Sequence, residues 1–156
     1  AAARALEVSA LRDATLEQLA QAYADEDQVE YRRARHVIRE NQRTLDFADA
    51  AAVRDWAKAG RLMFESHASL RDDFEVSCPE LDLLVELAAA RVDRGQVWGS
   101  RMTGGGFGGC TVSLVRAEAI DELSRYLTDE YRRATGRSPA VFATRPAQGA
   151  HILPIQ

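Results

Sequence analysis

The sequence predicts an α+β protein: a ferredoxin-like two-layer sandwich with additional helices at its N-terminal side. Up to about residue 92, apolar residues recur at three- and four-residue spacing, which is typical of amphipathic helices. Over "QVWGSRMT" and "CTVSLV" the spacing changes to two, as in half-buried strands. A helical stretch and the strand-like "AVFATR" complete the order helix–strand–strand–helix–strand. That order is the one of a ferredoxin-like sandwich whose first strand is unaccounted for.

The 156 residues are enough for one domain with a substantial core. Within residues 1–156 we expect a mainly helical part, residues 1–75, and a ferredoxin-like part, residues 76–156. The chain has no initiator methionine and opens on the helix-favouring run "AAARALEV" without a capping residue. We therefore expect a fragment, and the unaccounted strand belongs either to the missing part or to no part of the protein.

Capping residues and periodicity define the helices of the first part. Thr15 and Gln18 form a capping-box pattern that opens a short helix, "TLEQLAQAYA". A long amphipathic helix is predicted over residues 28–53. Asp55 caps the next helix, which Gly60 slightly weakens. The apolar residues that share a face of this helix are Trp56, Ala59, Leu62, Met63 and Leu70.

Two more helices are predicted in the second part. Ser77 and Glu80 are spaced as another capping box, with Pro79 tolerated in the first turn, and their helix is expected to end near Gly95. After the two strands, apolar residues at helical spacing predict a helix that stops at Gly136. These apolar residues are Ile120, Leu123, Leu127 and Tyr131.

Composition excludes several classes of function. Hydrophobic residues make up 46% and charged residues 28%, as in an ordinary soluble globular protein. A net charge of −4 and a pI near 5.4 provide no field that would attract nucleic acid or an anionic membrane. No apolar run approaches the roughly 18 residues that a membrane span requires. Two distant cysteines without metal spacing indicate a reduced, cytoplasmic protein.

The most unusual stretch is "RMTGGGFGGC", residues 101–110, in which five of the six residues 104–109 are glycine. A Walker A loop is excluded because no lysine follows the glycines. Gly104, Gly106 and Gly109 satisfy the spacing GxGxxG, but a dinucleotide site requires a helix next, and here a strand follows. The glycine-rich loop of protein kinases has its valine at a position that Thr111 occupies here, and the other kinase motifs are absent.

Two interpretations of the glycine stretch remain. A hairpin turn is possible, although such a turn needs only one or two glycines. The other interpretation is a loop whose exposed amides approach an anion or a second backbone segment. Ordering a glycine costs roughly 0.5–1 kcal/mol more than ordering an alanine. A hydrogen bond from an amide to a charged group contributes about 1.5–3 kcal/mol and would offset that cost.

Several segments, in the correct order, resemble the GHMP kinases in the form found in galactokinases. The stretch "GSRMTGGGFGGCTVSLV" resembles their third, C-terminal signature. The stretch "ESHASLRDDFEVSCPELDLLVELA", residues 65–88, resembles the segment upstream of that signature. The stretches "RRARHVIRENQRT" and "TRPAQGAH" fit in the same order, so that the resemblance runs from about Ala5 to the C-terminus.

The resemblance implies a fold and an activity. The family's C-terminal domain is a ferredoxin-like sandwich with added helices, and its reaction is the ATP-dependent phosphorylation of galactose at the 1-hydroxyl. The active site lies between two domains, so the expected partners are galactose, ATP and the protein's own N-terminal domain. That domain carries the galactose signature, the ATP phosphate loop, the Mg²⁺ carboxylate and the aspartate base. None of these motifs occurs in this chain, which we expect to be inactive alone.

By the same resemblance, the glycine loop closes against the phosphate-binding loop of the N-terminal domain. The residues expected beside nucleotide and phosphate are Thr103, Gly104, Gly105, Gly106, Phe107, Gly108 and Gly109. Arg101 is a weaker candidate, and no residue of this chain is expected to be catalytic or to bind a metal. Two other functions stay open: another GHMP kinase, such as an N-acetylgalactosamine kinase, and a catalytically silent, galactokinase-like sugar sensor.

The other polar groups have structural interpretations. His67 is expected to be a satisfied, partly buried histidine, because no nucleophile lies at motif spacing from it. The acidic residues of "RDDFE" are expected at a solvated helix end rather than in a Mg²⁺ site. The arginines of "YRRAR" and "EYRRATGR" are expected on solvated helix faces. Cys78 and Cys110 are expected to be small core residues.

Overall fold

The computed structural model of the chain describes residues 1–145, which form α-helices and one antiparallel pair of strands. The helices are α1 (Ala2–Ala5), α2 (Leu16–Ala22), α3 (Val29–Ala52), α4 (Trp56–Asp72), α5 (Pro79–Ala89) and α6 (Ile120–Thr135). The strands are β1 (Val97–Thr103) and β2 (Cys110–Val115), and 3₁₀ turns at Leu11–Asp13 and Ala117–Ala119 precede α2 and α6. The predicted α+β class is confirmed.

The two strands form a hairpin whose connection is the glycine stretch. Thr103 pairs with Cys110 next to the loop, and Arg101 pairs with Val112. The strand predicted at "AVFATR" is wrong: residues 140–145 carry neither helix nor strand. A strand exists through hydrogen bonds to a neighbouring strand, and within residues 1–145 the only ladder joins β1 to β2. Most of "TRPAQGAH" lies outside the described residues.

The predicted helix caps are confirmed except at α5. The side chains and amides of Thr15 and Gln18 bond each other reciprocally, and Asp55 accepts the amide hydrogen of Lys58 at 3.0 Å. Gly136 ends α6 in the left-handed conformation. The capping box at Ser77 is wrong, because Cys78 is the N-cap of α5 and its side chain makes no capping bond. Ser77 instead donates to the Asp82 carboxylate, since a charged acceptor forms the stronger bond.

The helix α5 ends at Ala89, earlier than predicted, and residues 90–95 form turns before β1. One core cluster joins α2 and α3 around Leu19 and Ala34, both fully buried. A second cluster joins α5, β1 and α6 around Ala88, Val97 and Leu123. These two clusters hold α3 and α5 in place, and both helices carry polar side chains near the glycine stretch.

Helix α4 crosses β1 at two glycines. A Cβ atom on Gly60 would lie 1.9 Å from the carbonyl oxygen of Trp98, and a Cβ atom on Gly99 would lie 2.3 Å from the carbonyl oxygen of Gly60. Neither separation is sterically possible, so only glycine permits the two backbones to approach this closely. The glycine that weakens the sequence pattern of α4 is therefore the residue that seats α4 on the hairpin.

Candidate functional site

The glycine loop, residues 103–109, depends on backbone conformations that favour glycine. Gly104, Gly106, Gly108 and Gly109 have φ angles of 92°, 88°, 129° and 112°. Side chains other than hydrogen are strained at such angles. Phe107 also has a positive φ, 59°, which is uncommon for an aromatic residue. The sequence of the loop thus specifies an irregular backbone path that a two-residue turn would not need.

One side of the loop rests on the rest of the domain, and the other side is open. The amide of Phe107 donates to the carbonyl oxygen of Val76 at 2.7 Å. A Cβ atom on Gly106 would lie 2.4 Å from the same oxygen, so the loop backbone is packed directly on residue 76. The ring of Phe107 is 78% exposed, and Gly104 and Gly105 have no neighbour within 4 Å of a built Cβ atom. The open side leaves loop backbone accessible to a ligand or to another segment.

The base of the loop is held by a buried histidine. The amide of Met102, the residue before the loop, donates to Nδ1 of His67 at 3.2 Å. Burial lowers the pKa of His67, although the nearby Asp82 carboxylate acts in the opposite direction. His67 is buried, more deeply than the sequence predicted, with 3% of its surface exposed. The prediction of a satisfied histidine is only half right, because among the described residues Nδ1 has a hydrogen-bond partner and Nε2 has none.

The second loop support, residues 73–78, is the linker between α4 and α5. Arg32 and Arg33 of α3 both bond the carboxylate of Glu75, and Arg33 also donates to the carbonyl oxygen of Asp73 at 2.7 Å. Arg35 bonds the Asp73 carboxylate, which is buried. The solvated face predicted for "YRRAR" is therefore wrong. These arginines bind the linker because carboxylates lie within reach of their planar guanidinium groups.

Arg101, the weaker candidate, is engaged away from the glycine loop. Its Nη1 lies 3.0 Å from a carboxylate oxygen of Glu40 and 2.9 Å from the hydroxyl of Ser66. Arg43 also bonds the Glu40 carboxylate. The sequence analysis missed Glu40, although His36, Glu40, Arg43 and Phe47 recur at the spacing of one helix face, which is a signal for polar residues that face inward.

The groups around Arg101 form the polar end of a cavity of about 650 Å³. The rest of the cavity wall is mainly apolar, and among the residues that line it are Phe47, Leu62, Met63, Val112, Leu114 and Ile120. Thr103, at the start of the glycine loop, also lines this cavity. Thr103 is thus part of both the cavity wall and the glycine loop.

Comparison with protein-family models identifies the domain. Residues 47–133 match the family model described as GHMP kinases C terminal. The chain belongs to this GHMP kinase family. The match begins within α3 and includes α4, α5, both strands, the glycine loop and most of α6. It therefore contains every group described above that supports the loop from α4, the linker or β1, and the family resemblance expected from the sequence is confirmed.

Curated relatives of this GHMP kinase domain are galactokinases. The chain is 43% identical over 155 residues to a galactokinase of Actinobacillus pleuropneumoniae, covering 97% of this chain and 40% of the relative. It is 48% identical over 151 residues to the human galactokinase, covering 97% of this chain and 37% of the relative. The chain thus spans about 40% of the length of the first of these relatives.

A solved structure supports the same relationship. The crystal structure of Lactococcus lactis galactokinase complexed with galactose matches with a TM-score of 0.78 and 33% sequence identity. The match covers 88% of this chain and 36% of that chain. The fold of this chain is therefore similar, over most of its length, to part of that galactokinase structure.

The acidic residues at the end of α4 and in the linker are paired with arginines. Asp73 and Glu75 are taken up by arginines of α3, and Arg71 holds the pKa of Asp72 below its ordinary value by hydrogen bonding. Among residues 1–145, no group of three or more His, Cys, Asp or Glu side chains could hold a metal ion. The expected solvated helix end is therefore partly right: Asp72 and Glu75 are exposed, whereas Asp73 is buried.

His36 of α3 is a second buried histidine. His36 lies 2.9 Å from the hydroxyl of Ser69, which donates its hydrogen to Asp73, so Nδ1 of His36 is the donor to Ser69. Burial lowers the pKa of His36.

The prediction that both cysteines are core residues is wrong: Cys78 is half-buried and Cys110 is exposed beside the loop. In the described part of the chain, no helix is both long and apolar enough to cross a bilayer.

Proposed function

We propose that this chain is the C-terminal domain of a galactokinase and that its glycine loop forms one wall of the active site. In that reaction the γ-phosphoryl group of ATP is transferred to the 1-hydroxyl of galactose. The observation that carries the proposal is the loop itself: four glycines at positive φ, with an open side, in a domain whose curated relatives are galactokinases. The partners in this proposal are ATP, galactose and an N-terminal domain.

The conformation of the loop supports a role beside phosphate. A chain of glycines at positive φ exposes amide hydrogens that side chains would otherwise cover, and such concave backbone segments bind anions. Each hydrogen bond from an amide to a charged group contributes about 1.5–3 kcal/mol, which exceeds the cost of ordering one glycine. A loop that only reversed the chain direction would not require this composition.

The chain contributes position rather than reactive groups. Phosphoryl transfer depends mainly on placing the reactants in line and on stabilising the charge of the transferred group. In our proposal the loop closes over the phosphates from one side and excludes water there. The base that accepts the proton of the sugar hydroxyl and the residues that select the sugar belong to the N-terminal domain. The carboxylates of Asp73 and Glu75 in the linker do not fit Mg²⁺, because arginines occupy them, so no step is assigned to the metal in this chain.

A pair of chimeras tests the proposal. In the first, this chain replaces the segment that it matches in the galactokinase of Actinobacillus pleuropneumoniae. In the second, it replaces the corresponding segment of an N-acetylgalactosamine kinase. The measurement is ADP release with ATP and either sugar, with both parent enzymes as references and circular dichroism to establish that each chimera is folded.

The outcomes separate the functions that the sequence left open. Turnover in the galactokinase chimera, within about tenfold of its parent, supports the proposal. Turnover only in the other chimera would replace galactokinase by a neighbouring GHMP kinase. Folded chimeras that bind galactose and ATP but release no ADP would favour a silent sugar sensor.

We also place the protein in the cytoplasm, in keeping with its free cysteines and the location of ATP.

A further inference from the structure

Two backbone amides hold the glycine loop on the domain: one lies just before the loop and one lies inside it. Met102 precedes the loop and donates its amide to His67, and Phe107 inside the loop donates its amide to Val76. We infer that His67, Asp82 and Ser77 form a brace that positions the glycine loop. In this inference His67 and Asp82 are positioning residues. Its kinetic consequence rests on the function proposed above, whereas its structural content does not.

The first tie fixes the end of β1. Met102 is 1% exposed, so its amide has no access to water. The amide is directed towards α4, where Nδ1 of His67 accepts its hydrogen at 3.2 Å. A buried amide without an acceptor is costly, and the strand end therefore stays where His67 holds it.

The first tie also fixes the protonation of His67. Because Nδ1 accepts a hydrogen bond from Met102, it carries no proton in this arrangement. The proton of the neutral ring is therefore on Nε2, which lies 3.1 Å from Oδ1 of Asp82. The alignment is poor for a hydrogen bond, so the contact is mainly an attraction between the N–H dipole and the carboxylate. Arg71 and Asp72 of α4 are the other charged groups that act on the ring.

The second tie, from the Phe107 amide to Val76, is connected to Asp82 through the linker. Oδ1 of Asp82 accepts the hydroxyl hydrogen of Ser77 at 2.5 Å. The neighbouring residue, Val76, accepts the amide of Phe107 and leaves no room for a side chain on Gly106. The contacts thus run from Met102 through His67, Asp82 and the linker to Phe107. Asp82 touches neither end of the loop, yet it connects both ties.

The first arm of the test measures the loop in the 156-residue chain. Asp82→Ala removes both contacts of the carboxylate, whereas Asp82→Asn keeps an acceptor oxygen for Ser77 and His67. Both variants lose the charge that favours the first turn of α5, so the loss of that charge does not contribute to the difference between them. The measurement is hydrogen exchange of the Met102 and Phe107 amides. We expect exchange about three- to tenfold faster in Asp82→Ala, the change that corresponds to one lost hydrogen bond, and near-native exchange in Asp82→Asn.

A matched control separates the brace from general destabilisation. Ser100 is fully buried in β1 and shares a hydrogen bond with Ser113 at 2.9 Å, outside the brace. Ser77→Ala is expected to speed exchange at Phe107 severalfold, and Ser100→Ala is expected to leave it unchanged. If Asp82→Ala does not fold, this pair of serine variants decides the question. Equal exchange at both amides in the brace variants and in Ser100→Ala would overturn the inference.

The second arm measures the kinetic consequence in the active chimera described above. A loop that spends only part of its time in the closed arrangement binds nucleotide more weakly in proportion. We therefore expect Asp82→Ala to raise KM for ATP about three- to tenfold with kcat within about twofold, and Asp82→Asn to restore KM. Faster loop exchange with unchanged KM would support the brace and would count against the placement of the loop beside ATP in the proposed function.

Discussion

The glycines of the α4–β1 crossing and those of the glycine loop meet opposite requirements. Gly60 and Gly99 are buried, have no positive φ, and are glycine because another backbone occupies the space of a side chain. Gly104 and Gly108 have open space around them and are glycine because of their φ angles. Gly106 is subject to both requirements. Glycine is thus required by close packing at the crossing and by backbone conformation in the loop. Substitutions at the two places should therefore have different effects on the free energy of unfolding.

The largest expected effect is at the crossing. Gly60→Val should lower the free energy of unfolding by about 3 kcal/mol, because the added side chain collides with the backbone of Trp98, which cannot move without displacing β1. Urea unfolding followed by circular dichroism measures this change. Ala57→Val, at an exposed position of the same helix, is the control for the helix propensity of valine. A loss no greater than that of the control would show that the crossing is not tightly packed.

Gly106→Ala is expected to have the next largest effect and sharpens the comparison inside the loop. The left-handed conformation and the contact with Val76 together should lower the free energy of unfolding by about 2 kcal/mol. In the active chimera the same change should raise KM for ATP at least about tenfold if the loop lies beside phosphate. Gly105→Ala is the matched control, because Gly105 has neither a positive φ nor a close neighbour. Equal behaviour of the two variants would contradict the distinction.

Gly136 isolates the conformational requirement from the others. It ends α6 with a φ of 73°, and no atom lies within 4 Å of a built Cβ atom. Gly136→Ala should therefore lower the free energy of unfolding by about 1 kcal/mol, the cost of the left-handed conformation alone. Thermal unfolding measures the shift. A loss as large as that of Gly60→Val would mean that the ranking does not follow from these contacts.

The smallest effect is expected from pH. Burial lowers the pKa of His36 and of His67 below the ordinary value of 6.5, so the folded chain resists protonation that the unfolded chain accepts. The stability contributed by the neutral rings is present above pH 6.5 and is lost as the pH falls below it towards the lowered pKa values. Urea midpoints at about pH 7.5 and about pH 5.5 measure this loss. In His67→Asn the pH dependence should be weaker, and an unchanged dependence would exclude His67 as a source.

Local signals predicted the fold well, because the interactions behind them are local. The capping box of Thr15 and Gln18 joins residues three positions apart, and Gly136 stops α6 by its own conformation. The strand at "AVFATR" was wrong because a strand depends on a partner that periodicity does not reveal. Ser77 was wrong for a related reason: Asp82, five positions along, competes successfully for its hydroxyl.

The candidate site shows the same division. The glycine loop was found from composition, and its positive φ angles agree with that composition. Its supports were missed, since Met102 bonds a histidine 35 positions away and Arg101 bonds a carboxylate 61 positions away. The solvated face expected for "YRRAR" was wrong because its acceptors lie some 40 positions later in the chain. Sequence reasoning identified the loop, and only the structure identified what holds it.

In mechanical terms, helix α4 is a lever whose fulcrum is the contact of Gly60 with Gly99. His67 lies two turns from that fulcrum, about 10 Å along the helix axis, so a tilt of about 5° would move its ring by about 1 Å. A misplacement of that size is enough to impair a reaction that depends on position. The alignment of the glycine loop is therefore set in part by a contact in which neither residue has a side chain. A single methyl group added to Gly60 or Gly99 would displace His67 and, through it, the start of the glycine loop.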